Sequence, residues 1–463
     1  MDPFVCVKNQ VDAETMMAFL NDSGWVPVED SAGAELIIIN SCGFIESAKQ
    51  ESINAVLAYR KVYPHKKILL AGCLAQRYAS ELSASLPEAD ALFGNTDLSR
   101  ISAAAAAALG AGSAAPAPES PAEDTGGPPP REASATAASL MGNRPLLSLP
   151  GSAYVKIAEG CNNRCSFCAI PLIRGPLRSR PVSPVLDECR RLLDRGVREL
   201  CLIGQDLGSY GTGPEHPSSG LPGLLEAIAS LEGFFWVRLL YIHPDNFPRP
   251  VLELCRRDPR FLPYFDLPFQ HGSAAILRAM NRHGDAGTYL RLIDGIREAL
   301  PDSVIRSTFL TGFPGETDDD FEALLDFQER ARLDWAGVFA YSREEDTPAY
   351  AMKGQVPKRI AAERKARIEE RQIPISEKQM DRFVGRTLEV LVEERMAAVQ
   401  APAGGPPDLG EIPDDGLYLG RLFCQAPDVD GSTLIHTGTP LRPGELIRGR
   451  VFARSGFDLE LRV

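Results

Sequence analysis

Short apolar runs alternate with amphipathic stretches over the first hundred residues. Glu35-Leu36-Ile37-Ile38-Ile39 and Lys67-Ile68-Leu69-Leu70-Ala71 are β-branched or leucine-rich and end at turn residues, which predicts two buried strands. A helix is expected from Val11 to Leu20, and Pro3-Phe4-Val5 would supply a third, very short strand. The periodicity stops at 102–150, where Ala, Pro, Gly and Ser dominate. Ala103 to Leu109 can finish a helix, but the rest reads as a linker, with mobility expected from Gly112 to Arg131. From Ser152 the alternation returns. Strands are predicted at Ala153–Ile157, Arg198–Ile203, Trp236–Tyr241, Tyr264–Leu267, Val304–Leu310 and Trp335–Tyr341. Helices are predicted at Pro184–Arg195, Leu221–Leu231, Pro248–Arg257, Ala274–Met280 with Ala286–Leu300, and Thr317–Ala331. Six strands alternating with helices imply a parallel sheet curled into a partial barrel, with its chemistry in the loops after the strands. Pro357 to Met380 is helical with mixed charges, the pattern of a solvated connector. Beyond Phe383, short runs at Thr387–Val392, Leu417–Phe423, Thr433–Thr437 and Glu445–Phe452 predict a small closed barrel. The fold class is therefore α/β with an all-β C-terminal unit, divided at 1–101, 102–150, 151–355, 356–382 and 383–463.

Composition narrows the function classes. The chain of 463 residues is 44% hydrophobic and 24% charged, ordinary for a globular protein of about three domains. The start lacks a basic region followed by an apolar run, and no stretch approaches ~18 consecutive apolar residues, so a soluble cytoplasmic protein without a membrane partner is expected. A net charge of −13 argues against binding nucleic acid chiefly through its phosphates. The C-terminal barrel carries 8 basic against 12 acidic residues, where a nucleic-acid barrel would show the opposite sign.

The cysteines change the picture most. Ten in a chain this long are too sparse for a disulfide scaffold. Cys161, Cys165 and Cys168 form a C-x3-C-x2-C triplet directly after the first strand of the partial barrel. Three soft ligands in eight residues suit an iron-sulfur cluster with one iron left open; zinc normally takes two C-x2-C pairs, and the chain has no second pair. Cys42 and Cys73 lie just beyond the two N-terminal strands, and Cys6 follows the short one, so a second three-thiolate site or buried packing are both open on spacing alone. Cys189, Cys201, Cys255 and Cys424 match no motif and are expected to be buried. Gly204-Gln205-Asp206, His243-Pro244, Pro268-Phe269-Gln270-His271 and Thr311-Gly312-Phe313-Pro314-Gly315-Glu316 share the strand-end edge. Of these, His271 reads as a structural histidine, and the glycines also suit a tight turn. Neither a nucleophile elbow nor a P-loop is present in the sequence.

Assembled, these residues resemble the radical S-adenosylmethionine methylthiotransferases over nearly the whole chain except the linker. Cys161, Cys165 and Cys168 match that superfamily's motif for a [4Fe-4S] cluster that chelates S-adenosylmethionine. Cys6-Val7-Lys8-Asn9-Gln10-Val11-Asp12, Asn40-Ser41-Cys42-Gly43-Phe44-Ile45 and Gly72-Cys73-Leu74-Ala75-Gln76-Arg77-Tyr78 match the methylthiotransferase domain, which implies a second [4Fe-4S] cluster at Cys6, Cys42 and Cys73. The C-terminal barrel is similar to a TRAM domain. Ile157-Ala158-Glu159-Gly160-Cys161, Cys168-Ala169-Ile170-Pro171, Tyr264 to His271 and Gly337 to Glu345 are closest to the ribosomal-protein aspartate methylthiotransferases, the RimO group. The resemblance implies methylthiolation of the β-carbon of an aspartate in small-subunit ribosomal protein twelve, two S-adenosylmethionine per turnover, and a low-potential donor such as flavodoxin or ferredoxin. Modification of a tRNA adenosine is the alternative within the same chemistry. Phe167, Gln205, Gly312 and Gly315 are the expected S-adenosylmethionine contacts. The chain departs from the family in the short segment ahead of Cys6 and in the long Ala/Pro-rich insert.

Overall fold

The computed structural model describes residues 6–110, 140–212, 220–396 and 416–463. The N-terminal unit runs α1 (Val7–Asp22), β1 (Leu36–Ser41), α2 (Glu46–Val62), β2 (Lys67–Gly72), α3 (Cys73–Arg77), α4 (Ala79–Ser85), β3 (Ala91–Phe93) and α5 (Ile101–Ala108). Its three strands are parallel in the order β1-β2-β3. Alternation along β2 explains the layering: Leu69 and Ala71 pack with Met16, Ile101 and Ala104 on one face, while Ile68 and Leu70 pack with Val56, Leu74 and Leu82 on the other. Three-residue β3 is too short to show an alternation, so the sequence pattern did not reveal it. The short strand expected at Pro3-Phe4-Val5 lies outside the described residues.

The segment expected as linker, 102–150, belongs to the fold at both ends. α5 buries Ala104 and Ala105 against α1 and the sheet. At the other end Arg144 is fully buried, with Nε donating to Glu14 (2.8 Å), Nη1 to Glu188 (2.7 Å) and Nη2 to the Tyr154 carbonyl (2.5 Å). An arginine in a low-complexity stretch carries no periodicity, and only its two distant carboxylates make this position structural. The mobility expected from Gly112 to Arg131 falls outside the described residues.

The central unit comprises β4 (Ser152–Lys156), β5 (Ala158–Glu159), α6 (Ile170–Arg174), β6 (Arg178–Ser179), α7 (Val182–Asp194), β7 (Glu199–Ile203), α8 (Gly220–Ala229), β8 (Trp236–Leu239), α9 (Pro250–Arg257), β9 (Phe261–Asp266), α10 (Ala274–Ala279), α11 (Ala286–Ala299), β10 (Val304–Thr311), α12 (Asp318–Ala331), β11 (Trp335–Ala340) and α13 (Lys358–Met380). The six main strands are parallel in the order β11-β10-β9-β8-β7-β4, as expected for a partial barrel. Ala153, Val155, Leu200, Leu202, Val237 and Phe265 pack beneath the helices, while Tyr154, Cys201, Trp236 and Tyr264 join a second core on the other face. α13 is more than a solvated connector: Ala361, Arg364, Ile368, Gln372, Ser376 and Met380 form a buried stripe at helical spacing. Charged residues on its other faces masked that stripe in the sequence.

A closed barrel of β12 (Thr387–Arg395), β13 (Leu417–Leu422), β14 (Thr433–His436), β15 (Leu446–Ser455) and β16 (Asp458–Arg462) completes the chain. β16, absent from the sequence reading, pairs β15 antiparallel and β14 parallel and closes the cylinder. The barrel shares a core with the second face of the central sheet, where Val390, Leu422 and Val451 cluster with Tyr154, Trp236 and Tyr264. Tyr154 donates to Asp428 (3.0 Å) and Tyr264 to Asp430 (2.6 Å). At the start of β7, Glu199 receives Arg238 (2.7 Å) and Arg421 (2.6 Å) and joins the two units through buried charges.

Burial by itself would raise the Glu199 carboxyl, but Arg421 and Arg238 outweigh it and hold it at about 2, against an ordinary 4.5. A depressed folded value stabilises the protein above the unfolded value and loses that contribution as pH falls. Acid titration from pH 4.5 toward 2 is therefore expected to loosen this interface. Denaturant unfolding at stepped pH checks this: Glu199→Gln should flatten the slope in that window, and a slope identical to the parent's would sink the assignment.

Candidate active site

Five of the six cysteines of the two expected triads follow a described strand, and the sixth opens a helix. Cys6 caps α1, Cys42 follows β1, and Cys73 opens α3 directly after β2. Backbone packing brings the last two together: a Cβ at Gly43 would stand 2.7 Å from the Cys73 carbonyl oxygen, so only glycine fits there. Asn9 donates to the Ser41 carbonyl (3.2 Å) and Asn40 to the Asn9 carbonyl (2.8 Å), which ties the first turn of α1 to the Cys42 loop. Cys6 and Cys42 both act electrostatically on Cys73, whose thiol burial pushes up to about 12.

The other triad occupies the loop between β5 and α6. Gly160 adopts φ +74°, and a Cβ there would collide with the carbonyls of Gly175 and Pro176. Cys161 donates its amide to Gly175 (3.2 Å), Cys168 to Cys165 (3.1 Å), and Ser166 to the Met280 carbonyl (3.0 Å), which fixes the loop against the end of α10. Burial raises the Cys161 thiol to about 11 and the Cys168 thiol to about 12, and raises Cys165 as well. Arg282, near Cys165 and Cys168, leaves its buried Nε without a hydrogen-bond partner, and the buried Oε1 of Gln205 is likewise unpartnered.

These observations test the fit of iron-sulfur clusters. Both sets are sulfur only, which suits iron-sulfur chemistry over hard cations. Burial raises the thiols of Cys42, Cys73, Cys161, Cys165 and Cys168, so these need a metal's positive charge to become ligands. Among the described residues no three His, Cys, Asp or Glu side chains converge on a point suitable for a single metal ion. A four-iron cluster makes a different demand, because each thiolate binds its own iron. On donor chemistry and backbone placement the residues fit.

α6, which begins two residues after Cys168, joins the two sets. Ala169 and Ile173 pack against Cys73 and Phe44. Arg174 donates to the Cys73 sulfur (3.2 Å), to Asp12 (2.8 Å) and to Glu159 (2.9 Å), while Lys156 reaches Asp12 and Glu159 at 2.6 Å each. Burial alone would raise the Glu159 carboxyl, but Arg174 and Lys156 hold it well below the usual range. Asn95, Thr96, Glu159, Ile173, Arg174 and Arg178 line a small cavity here. Asp12, Lys156 and Arg174 had no assigned role in the sequence; the available signal was charge placed inside apolar or cysteine-bearing segments.

The expected S-adenosylmethionine contacts fall at different depths. Gln205 donates to Glu159 (3.0 Å) beside the network. Phe167 is half-buried against Ile276, Met280, Leu310 and Phe313. Gly312 (φ +73°) and Gly315 (φ +84°) form a left-handed turn whose amides at 312 and 313 donate to Glu316. Gly312 is pressed against Ala361 of α13, so packing already requires its missing side chain. His271 is buried, accepting from the Ser273 amide at Nδ1 (2.9 Å), with Nε2 3.6 Å from Glu316. Cys189, Cys201, Cys255 and Cys424 are all buried, as expected.

Comparison with known proteins agrees with this architecture. Residues 2–94 match the model described as Uncharacterized protein family UPF0004, 155–327 the Radical SAM superfamily, and 384–463 the TRAM domain. A relative from Treponema denticola named ribosomal protein uS12 methylthiotransferase RimO is 46% identical, with 99% of each chain covered. The protein of the same name from Symbiobacterium thermophilum is 39% identical over 98% of this chain and 88% of its own. Among solved structures, the radical S-adenosylmethionine methyltransferase TsrM from Kitasatospora setae superposes with a TM-score of 0.53 at 14% identity, covering 75% of each chain, a likeness of fold alone. With identity of this order over its full length, the chain belongs to the RimO family of radical S-adenosylmethionine methylthiotransferases.

Proposed function

We propose that the chain transfers a methylthio group to the β-carbon of an aspartate in ribosomal protein uS12, using two [4Fe-4S] clusters, one on each cysteine triad. The observation that carries this is the abutment of the two triads across α6, with Arg174 contacting Cys73 from the element that follows Cys168. Cys161, Cys165 and Cys168 would hold the cluster that takes S-adenosylmethionine, and Cys6, Cys42 and Cys73 the second. When bound, these groups supply the one-electron chemistry and the sulfur needed at an unactivated C–H bond, whose pKa lies beyond any side-chain base. Arg174 sets a positive charge against the Cys73 sulfur, and Glu159 orients Arg174 and Gln205. Phe167, Gln205 and the Gly312 to Gly315 turn are the proposed walls of the S-adenosylmethionine site. A low-potential donor of flavodoxin or ferredoxin type and a cytoplasmic location follow from the same reading. Among the described residues no helix is long and apolar enough to cross a membrane.

Purified uS12 and tRNA offered side by side to the anaerobically reconstituted enzyme provide the test. The methylthio mass increment is expected on uS12 alone; an increment on tRNA alone would overturn the substrate assignment. Iron and sulfide analysis is expected to give about eight of each per chain, and about four of each would reject the second cluster.

A further inference from the structure

The space beside the two triads contains several cations, and most are committed to carboxylates. Lys156 is paired with Asp12 and Glu159, Arg174 with the same two, and Arg306 with Asp266 (3.2 Å) and Asp430 (3.4 Å). Lys8 differs. It stands on the first turn of α1, two residues from Cys6, and its side chain crosses to the strand-end edge of the central sheet. There Nζ sits 2.9 Å from the ring centroid of Tyr241. Tyr241 follows β8 in a left-handed conformation (φ +69°), which brings its ring to this position. Among the described residues Lys8 has a cation–π contact and no hydrogen bond or ion pair, although Asp266 and Glu159 are near enough to act on it electrostatically. Both carboxylates are satisfied elsewhere, Asp266 by Arg306 and Glu159 by Lys156, Arg174 and Gln205. Lys8 as a residue is half-buried.

An ammonium on a half-buried lysine, without a carboxylate partner, is a receptor for one. We propose that Lys8 is a substrate-binding residue that receives the side-chain carboxylate of the target aspartate, with the Tyr241 ring as its backing. The inference rests on the assignment of an aspartate as the substrate. Lys8 lies near enough to Cys6 for their charges to interact, so a carboxylate held there would bring the aspartate to the Cys6 side of the site, which would thereby distinguish aspartate from asparagine. Attraction to a ring alone is worth less than a charge-assisted hydrogen bond, so an arriving carboxylate gains more than Lys8 loses in shifting toward it.

The test measures equilibrium binding of fluorescently labelled uS12 to the reconstituted enzyme, comparing uS12 carrying the aspartate with uS12 carrying asparagine at that position. The parent enzyme is expected to prefer the aspartate form by about tenfold or more. In Lys8→Met, which keeps the stem over Tyr241, the preference should fall toward one. Iron and sulfide content of the variant reports whether the Cys6 site is still loaded. Equal binding of the two forms by the parent overturns the proposal without recourse to any variant. A preference undiminished in Lys8→Met overturns it as well. A parent enzyme that neither binds nor modifies uS12 overturns the aspartate assignment itself, and the proposal with it.

Discussion

Cys165→Ala is expected to reduce S-adenosylmethionine cleavage to background and to lower iron content from about eight to about four per chain. Cys165 is one of three sulfurs in the loop, and the nearby carboxylate of Asp206 already accepts from Asn163 (2.9 Å). Cys42→Ala should behave differently. Cys42 follows β1 in the N-terminal unit, whereas the Cys161 to Cys168 loop is held by Gly175 and Met280 of the central one. Its loss is therefore expected to abolish methylthiolation while 5′-deoxyadenosine still forms. Chromatographic assay of 5′-deoxyadenosine beside mass analysis of uS12 separates the two outcomes. Continued 5′-deoxyadenosine formation by Cys165→Ala would refute the assignment of the first triad.

Arg144→Ala is expected to cost about 3–5 kcal/mol of stability, because it leaves the buried carboxylate of Glu14 without its cation and Glu188 with Arg180 alone. Glu14 on α1 and Glu188 on α7 are both fully buried, and Arg144 alone contacts both at 2.8 and 2.7 Å. Arg180 also reaches Glu188 at 2.7 Å, whereas among the described residues Glu14 has, besides Arg144, amide donors alone: the Gln10 side chain and the Leu147 backbone. Replacing Arg144→Met and Glu14→Gln together should restore much of the loss, since Glu14 then carries no charge and Glu188 keeps Arg180. Urea unfolding of the full chain measures both; a loss below about 1 kcal/mol for the single variant would show that water reaches the pair.

Several elements were legible because each carries its own periodicity. The six strands of the central sheet occur within a few residues of their expected positions, since buried parallel strands are continuous apolar runs bounded by turns. Three features escaped for identifiable reasons. β3 is too short to alternate, β16 (Asp458–Arg462) is charged at alternate positions without a long apolar run, and the buried stripe of α13 lies under a charged surface. Lys8 was visible in the sequence as part of a motif, but nothing local distinguishes a solvated lysine from one seated on Tyr241.

By itself the sequence determined the cysteine spacing and the succession of units, because both are properties of adjacent residues. It also carried the resemblance that the family comparisons bear out. Only the tertiary structure decided how those units meet: Arg174 against Cys73, Arg144 between Glu14 and Glu188, Glu199 between Arg238 and Arg421, Lys8 over Tyr241. Each joins residues distant in the chain through buried charge or a close ring contact. Such pairings are selected by burial, which desolvates a charge and makes its partner obligatory, and burial is a property of the folded chain.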